Sequence, residues 1–590
     1  MNKSIKAITL SAMLVLSAAG FAGAGEFTAA PLRAEIRKPE RAVTLRGGAS
    51  SAPVSFGYRR SHINWDFFDS ASDKKTPSVL REAGVLPSSY DNRKNMPPVT
   101  NQSPYENCWT HSATATASAS LIRKGILEAN EDALLSEWYL TYFGYNDEGK
   151  ALPSFTFDQE PEEEGEEPAE FYNTGGTDWI AVALLSRGTG AVLRKDAPSP
   201  APEKAGEYVQ ASHKRAFRLT DAQYLGLDRQ REIPIKKKDM IETVKRSIME
   251  NGAVSAGIEW PGYPDEADVI NRETSAFFTG RAKNWTNPNH AITLVGWDDS
   301  YPKENFNTDK DNFMPEHDGA WILRNSWGEA SGDAGHYYIS YEEFTLCDGV
   351  AYIMEKAPEK ETLYQYDPLG CADFIFKDGV SESVSAANIF TAESDAENID
   401  AVAFYTAPRN QSTEVTIYTG CNADDPVSGT KSETKTVTFD LPGYHTVTLD
   451  KPVKIKQGEL FSIVVKYHAQ GGKAFIPVEG FMGEDDEYAK ASSGKGESWI
   501  ATDSGAFSDL YGVTIDGERP STNGGTERFT ISKMNVCIKA IDDGVKQPGP
   551  EPEPQPEPSS GGSSGCNAGA AGFALLFFIP AIVKLTEKEN

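Results

Sequence analysis

The chain has 590 residues, 39% of them apolar and 24% charged, so it can bury sizeable cores and is not disordered throughout. Its 57 basic and 86 acidic side chains leave a formal charge of −29, which argues against a nucleic-acid binder, since that needs a basic surface to displace counterions from phosphates. Six cysteines exclude a disulfide-dense scaffold.

The first 24 residues read as a secretory signal. Lys3 and Lys6 precede an apolar run from Ile8 to Ala19, and Ala22-Gly23-Ala24 supplies the small residues of a cleavage site. An uncleaved anchor is the alternative. Residues 25–85 form a leader with little periodic pattern. Residues 86–357 alternate helical and strand signals, interrupted by an acidic block from Asp158 to Glu170 that suits a solvated insertion. Residues 360–542 carry short β-rich runs, among them Glu414 to Tyr418, Thr436 to Asp440, Tyr444 to Leu449 and Leu460 to Val465. Gly, Pro, Asn and Asp separate these runs, which predicts an all-β sandwich. Residues 543–565 form a Pro/Glu and Gly/Ser linker. From Cys566 to Asn590 follow an apolar run, short for a bilayer, and a charged end. This last segment resembles the Synergist-type C-terminal sorting domain of bacterial surface proteins. The resemblance implies processing near Cys566 and retention at the cell surface; a weak membrane anchor is the alternative.

Chemistry concentrates in three motifs. Cys108 lies in Asn101-Gln102-Ser103-Pro104-Tyr105-Glu106-Asn107-Cys108-Trp109, just before an Ala/Ser/Thr-rich stretch expected to form a buried helix. A cysteine at a helix start meets unpaired N–H groups and the positive end of the helix dipole, which favours thiolate. His290 lies where a loop enters the apolar run Ala291-Ile292-Thr293-Leu294-Val295, and Asn325 follows Trp321-Ile322-Leu323-Arg324. A thiol nucleophile needs a base, and the base needs an orienting group.

The segments NQSPYENCW, NHAITLVGW and WILRNSWG resemble the papain-like cysteine proteases in their order, with Leu135-Ser136-Glu137 and Asn173 to Trp179 as further matches, although the gap of 182 residues from Cys108 to His290 is longer than is usual in that family. The resemblance implies an α+β fold: a two-lobed catalytic domain, with a helical lobe and a β-barrel-like lobe, ahead of the sandwich. It assigns Cys108 as nucleophile, His290 as general acid/base, Asn325 as its orienting partner and Gln102 as oxyanion donor. It implies that Gly175 and Gly176 line the cleft and that Trp327 shields the Asn325–His290 bond. Ala291 and Val254 are expected to wall a subsite for an apolar side chain. The family's cysteine three residues before the nucleophile is replaced by Tyr105, so its disulfide is absent. His111, on the expected helix, is read as a packing residue rather than a catalytic one. The leader is short and lacks the family's long helical pro-segment pattern, which leaves open whether it blocks the cleft.

The β-rich region resembles the lectin-like domain that follows papain-like modules in some bacterial surface proteases. Tyr364 to Gly370, Ala387 to Ala392, Gly443 to Val447 and Gly496 to Ile500 carry that match. At most one disulfide is expected among Cys371, Cys421 and Cys537. No cofactor is expected; Asn307, Asp309 and Asp311 form a weak Ca²⁺ motif. The leading reading is an exported, surface-retained cysteine endopeptidase acting on proteins or peptides, with cell-surface glycans as further partners, a membrane reached through the C-terminal segment, and no nucleic acid. The alternatives are a transpeptidase or amidase acting on cell-wall peptides, and a non-catalytic carbohydrate- or protein-binding adhesin.

Overall fold

The computed structural model describes residues 27–31, 56–63, 65, 67–68, 84–148, 152–155, 170–227, 238–261, 269–280, 288–308, 314–380, 382–394, 398–482, 491–502, 506–520 and 526–544. The expected signal segment, the acidic block up to residue 169, Asp309, Asp311, and everything from the linker through Cys566 to the tail lie outside these residues. No described helix is long and apolar enough to cross a membrane.

The first helix, α1 (Cys108–Arg123), is buried on nearly every side. Its Ala, Ser and Thr residues let neighbouring backbones approach closely, and most of the hydroxyls find protein partners, Thr116 Oγ1 being the buried exception among the described residues. Ser112 Oγ donates to Ile292 O at 2.6 Å, Ser118 Oγ to Ala133 O at 2.8 Å and Thr114 Oγ1 to Thr110 O at 2.7 Å. Two further helices pack beside it, α2 (Glu137–Tyr145) and α3 (Asp178–Ser186). Ser136 caps α2 by accepting from Tyr139 N at 3.0 Å, and Thr177 caps α3 by accepting from Ile180 N at 3.2 Å. The Leu-Ser-Glu motif thus becomes a helix start. Its Glu137, buried, takes Arg194 in a two-point contact. Helix α4 (Lys238–Asn251) lies across the β-rich lobe.

The strands of the first region are β1 (Thr28–Ala29), β2 (Ser89–Asp91), β3 (Phe217–Tyr224), β4 (Val254–Ile258), β5 (Ile270–Asn271), β6 (Ala276–Phe277), β7 (His290–Asp298), β8 (Ala320–Arg324), β9 (His336–Ser340) and β10 (Cys347–Lys356). The second region continues with β11 (Thr362–Tyr364), β12 (Asp373–Asp378), β13 (Ser383–Thr391), β14 (Asn398–Thr406), β15 (Gln411–Thr419), β16 (Thr430–Phe439) and β17 (Gly443–Lys454). It ends with β18 (Leu460–His468), β19 (Lys473–Met482), β20 (Ser498–Thr502), β21 (Ser508–Asp509), β22 (Ile515–Pro520), β23 (Thr526–Val536) and β24 (Ile538–Asp542). The β-runs expected from sequence fall on β15 to β18, with only Asp440 lying past the end of its strand.

One sheet crosses from region to region in the order β11-β24-β14-β17-β3-β10-β4-β7-β8-β9-β6-β5. Its joint is the antiparallel pair β3–β17, with Gly443 opposite Gln223, Tyr444 opposite Ala222 and His445 opposite Asp221. A second sheet, β1-β12-β19-β23-β22, and a third, β16-β15-β18-β13-β20-β21, enclose a shared apolar core with the β11-β24-β14-β17 end of the first. The observed class is therefore an α+β region followed by a β-rich sandwich.

The joint is polar and filled. His445 Nδ1 meets Asp221 Oδ2 at 2.8 Å and its Nε2 meets Thr406 Oγ1 at 3.0 Å. Arg187, buried at the end of α3, donates to Phe143 O at 3.0 Å, Pro153 O at 2.6 Å and Pro368 O at 3.4 Å. The leader is part of the same packing. Its β1 extends the edge of the second sheet through β12. Trp65 stacks on Tyr224 at 4.4 Å, and Phe68 meets Phe374 at 4.9 Å and Phe475 at 5.1 Å. The five described cysteines are free thiols.

Arg187→Met removes donors from three carbonyls enclosed in the joint. Each carbonyl left without a partner costs about 1–3 kcal/mol. The variant is expected to unfold at a clearly lower temperature or urea concentration than the parent chain, read by circular dichroism.

Candidate active site

The start of α1, the start of β7 and the loop after β8 bring Cys108, His290, Asn325 and Gln102 together. His290 opens β7 with its ring enclosed. Its Nε2 meets Asn325 Oδ1 at 2.7 Å. Its Nδ1 is buried and has no hydrogen-bond partner among the described residues. The next residue, Ala291, donates its backbone N–H to Cys108 Sγ at 3.2 Å. Trp327 stacks on the imidazole with centroids 4.9 Å apart, and the indole of Trp260 stands edge-on to Trp327 at 5.0 Å. Gln102 is held by Ser326, whose hydroxyl donates to Gln102 Oε1 at 2.7 Å. That leaves Gln102 Nε2 as a donor toward the cleft.

The cleft is filled by the chain's own leader. Gln102 Nε2 donates to the carbonyl of Phe56 at 2.9 Å. The Phe56 ring packs against His290 and Trp327 at 5.1 and 5.3 Å. Tyr58 bridges to Gly176 in parallel: Gly176 N donates to Gly57 O at 3.1 Å and Arg59 N to Gly176 O at 2.8 Å. Gly57 crosses the helix start so closely that a Cβ there would lie 1.9 Å from Glu106 O, and its φ of +99° also favours glycine. The question left open by the sequence is thereby answered geometrically: a segment without the family's long helical pattern lies across Cys108.

Residues 174–355 match the family model described as papain family cysteine protease, and residues 363–542 match the one described as lectin like domain. The crystal structure of the cysteine protease and lectin-like domains of Cwp84, a surface layer associated protein of Clostridium difficile, is similar at 25% identity. That match covers 78% of this chain and 89% of the other, with a TM-score of 0.58. The clostridial cysteine protease Cwp84 after propeptide cleavage matches at 26% identity, over 77% of this chain and 99% of the other, with a TM-score of 0.57. No curated protein matches in sequence. The chain carries a papain-type cysteine peptidase domain followed by a lectin-like domain.

The peptidase match begins at Thr174, beyond the nucleophile motif. Geometry brings Cys108 to the site. Its electrostatics correct one expectation. The helix start was expected to favour thiolate, but burial pushes the Cys108 thiol far up, more than the Ala291 and Trp109 N–H groups lower it. Burial also pushes His290 down to about 4, against the Asn325 bond, which raises it. With the leader in place the pair is neutral thiol and neutral imidazole, because both groups are shut away from water.

The subsite needs a second correction. Val254 does not wall the cleft. Along β4, Val254, Ala256 and Ile258 enter the core beneath the sheet, and the two-residue alternation turns Ser255 and Gly257 toward the cleft. Ala291 shares a packed cluster with Tyr58. Gly175 and Gly176 line the leader's path. His111 packs as expected, its Nδ1 on Thr100 Oγ1 at 2.7 Å. Tyr105, standing where relatives have a cysteine, joins an aromatic cluster with Trp138 and Tyr172 at 5.0 and 5.5 Å. Ser326 and Trp260 were missed from sequence. Ser326 could have been found as the residue between Asn325 and Trp327; Trp260 lies thirty residues from His290 and carried no signal. Among the described residues no group of His, Cys, Asp and Glu could hold a metal ion.

Gly57→Ala forces the leader off the helix start. Alkylation of Cys108 by iodoacetamide, followed by mass spectrometry of its peptide, is expected to accelerate at least about tenfold, the equivalent of roughly 1.4 kcal/mol.

Proposed function

We propose that the chain is an exported cysteine endopeptidase held latent by residues 56–59 and retained at the cell surface. Once the leader leaves, water reaches the Cys108–His290 pair and the proton moves from thiol to imidazole. The thiolate then attacks a peptide carbonyl carbon. The carbonyl oxygen, now negative, is held by Gln102 Nε2 and the backbone N–H of Cys108. His290 returns its proton to the departing amine, leaving a thioester. A water molecule, deprotonated by His290, adds to the thioester and expels Cys108 thiolate, releasing the acid.

The observation that carries this reading is the His290–Asn325 contact of 2.7 Å beside the Ala291–Cys108 contact of 3.2 Å, with Gln102 already donating to a carbonyl. Trp327 covers the first contact, which keeps water from competing for Asn325 Oδ1. Surface retention is supported by the apolar segments at both ends of the sequence and by the surface-layer association of Cwp84. Proteins or peptides are the substrates this chemistry serves, and the lectin-like domain is compatible with glycans as partners.

Cys108→Ala is expected to abolish hydrolysis of a protein substrate by the activated chain. Gln102→Ala is expected to lower kcat by about 10²–10³ while leaving alkylation of Cys108 in place. Hydrolysis that survives Cys108→Ala overturns the proposal.

The pH dependence supplies a separate check. In the latent chain the thiol is protonated through neutral pH, since burial raises it, and His290 stays neutral above about 4. Alkylation of the latent chain is therefore expected to rise only in alkaline solution. After leader release the rise is expected at much lower pH, as charge separation becomes affordable in water. Identical profiles for the two forms would contradict the role given to the leader.

A further inference from the structure

The leader's Tyr58 reports the shape and charge of a pocket whose selectivity the peptidase reading does not specify. The side chain is buried beside Gly176 and packs in one cluster with Ala291, Cys347 and Tyr352. Gly257 forms one wall. A Cβ at that position would lie 2.3 Å from the Tyr58 ring, so any larger residue would close the pocket to a long flat side chain. At the far end the Tyr58 hydroxyl donates to the carboxylate of Asp348. Asp348 is itself buried, and its φ of 60° lies within the irregularity at the start of β10, where the pairing with β4 shifts register. Behind it lies a second buried carboxylate, Asp178. Its Oδ1 accepts from Ser255 Oγ and Tyr352 OH, both at 2.7 Å, while its Oδ2 has no hydrogen-bond partner among the described residues. Burial first, then the charges of Asp348, Cys347 and Asp178, push the Tyr58 phenol well above its ordinary value, so it remains a donor.

We infer that this pocket, once vacated by Tyr58, selects substrates whose second residue before the cleaved bond is tyrosine, arginine or lysine, with Asp348 as the specificity-determining residue. This rests on the peptidase reading of the cleft, and it replaces the apolar subsite expected from the sequence. Three constraints combine. The depth suits a side chain as long as tyrosine. The floor offers an acceptor, which also meets the Cys347 thiol at 3.7 Å, so a side chain ending in carbon forfeits the hydrogen bond that Tyr58 makes there. Two carboxylates at the floor also favour a cationic end, which a neutral apolar side chain cannot match.

The leader allows a test in the full chain that does not depend on turnover. In Tyr58→Arg, Tyr58→Phe and Tyr58→Leu chains, the rate of Cys108 alkylation reads how firmly each side chain holds the pocket. Arg is expected to keep the thiol protected to within about threefold of the parent. Phe and Leu are expected to expose it about tenfold or more, the weight of a hydrogen bond to a charged group. In an Asp348→Asn background, asparagine being a residue that tolerates the same positive φ, the advantage of Arg over Leu is expected to vanish. Equal protection by Phe, Leu and Tyr, or a ranking unchanged by Asp348→Asn, overturns the inference. Peptide-library cleavage by the activated chain provides the second arm. A preference for Leu or Phe over Tyr and Arg at that position overturns the inference while the peptidase reading stands. Failure to cleave any peptide overturns the peptidase reading, and the alkylation ranking still decides what the pocket holds.

Discussion

The backbone pairing of β3 with β17 is the interaction on which the rest of the structure depends. Through it a strand of the peptidase lobe and a strand of the lectin-like region become neighbours in one sheet, and the two regions share a continuous set of hydrogen bonds. Such a joint cannot slide by one residue without turning its side chains to the wrong face. The contacts beside it follow from that registry: His445 on Asp221, Arg187 on the carbonyl of Pro368, and the aromatic seam where Trp65 meets Tyr224 and Phe374.

That seam also governs the leader. Its two described ends are held by the lectin-like region, at β1 against β12 and at Trp65 and Phe68 against Phe374. Between them, residues 56–59 cross the nucleophile. A short extended segment can therefore cover Cys108, because the second region supplies the packing surface that anchors it on both sides. The cover over Cys108 and the association of the two regions rest on the same contacts. The neutral state of Cys108 and His290 is a consequence: the strand excludes the water that a separated charge pair requires.

Substitutions within the catalytic lobe follow a similar logic. The disulfide absent near the nucleophile is replaced by the aromatic group around Tyr105, Trp138 and Tyr172. The helix α1 tolerates a run of Ser and Thr in its interior because the hydroxyls of Ser112, Thr114 and Ser118 each find a backbone carbonyl. Polar and aromatic packing thus holds the site's geometry without covalent bridges among the described cysteines.

The sequence by itself determined the order Gln102, Cys108, His290, Asn325, the helix that begins at Cys108, and the change to β-rich patterning after residue 360. Those features are local: a helix start, a strand period and a motif can be read from neighbours in the chain. Three others could be decided only by tertiary structure. The leader's path joins residues far apart in sequence, such as Phe56 and Gln102, or Tyr58 and Asp348, and no periodicity announces such a meeting. The identity of the subsite wall turned on which face of β4 looks into the cleft, and one step along a strand exchanges Val254 for its opposite-facing neighbour. The protonation of the catalytic pair depended on burial, which the helix start alone misjudged. A nearby N–H or dipole is visible in the sequence; the exclusion of water by a strand folded back from elsewhere is not.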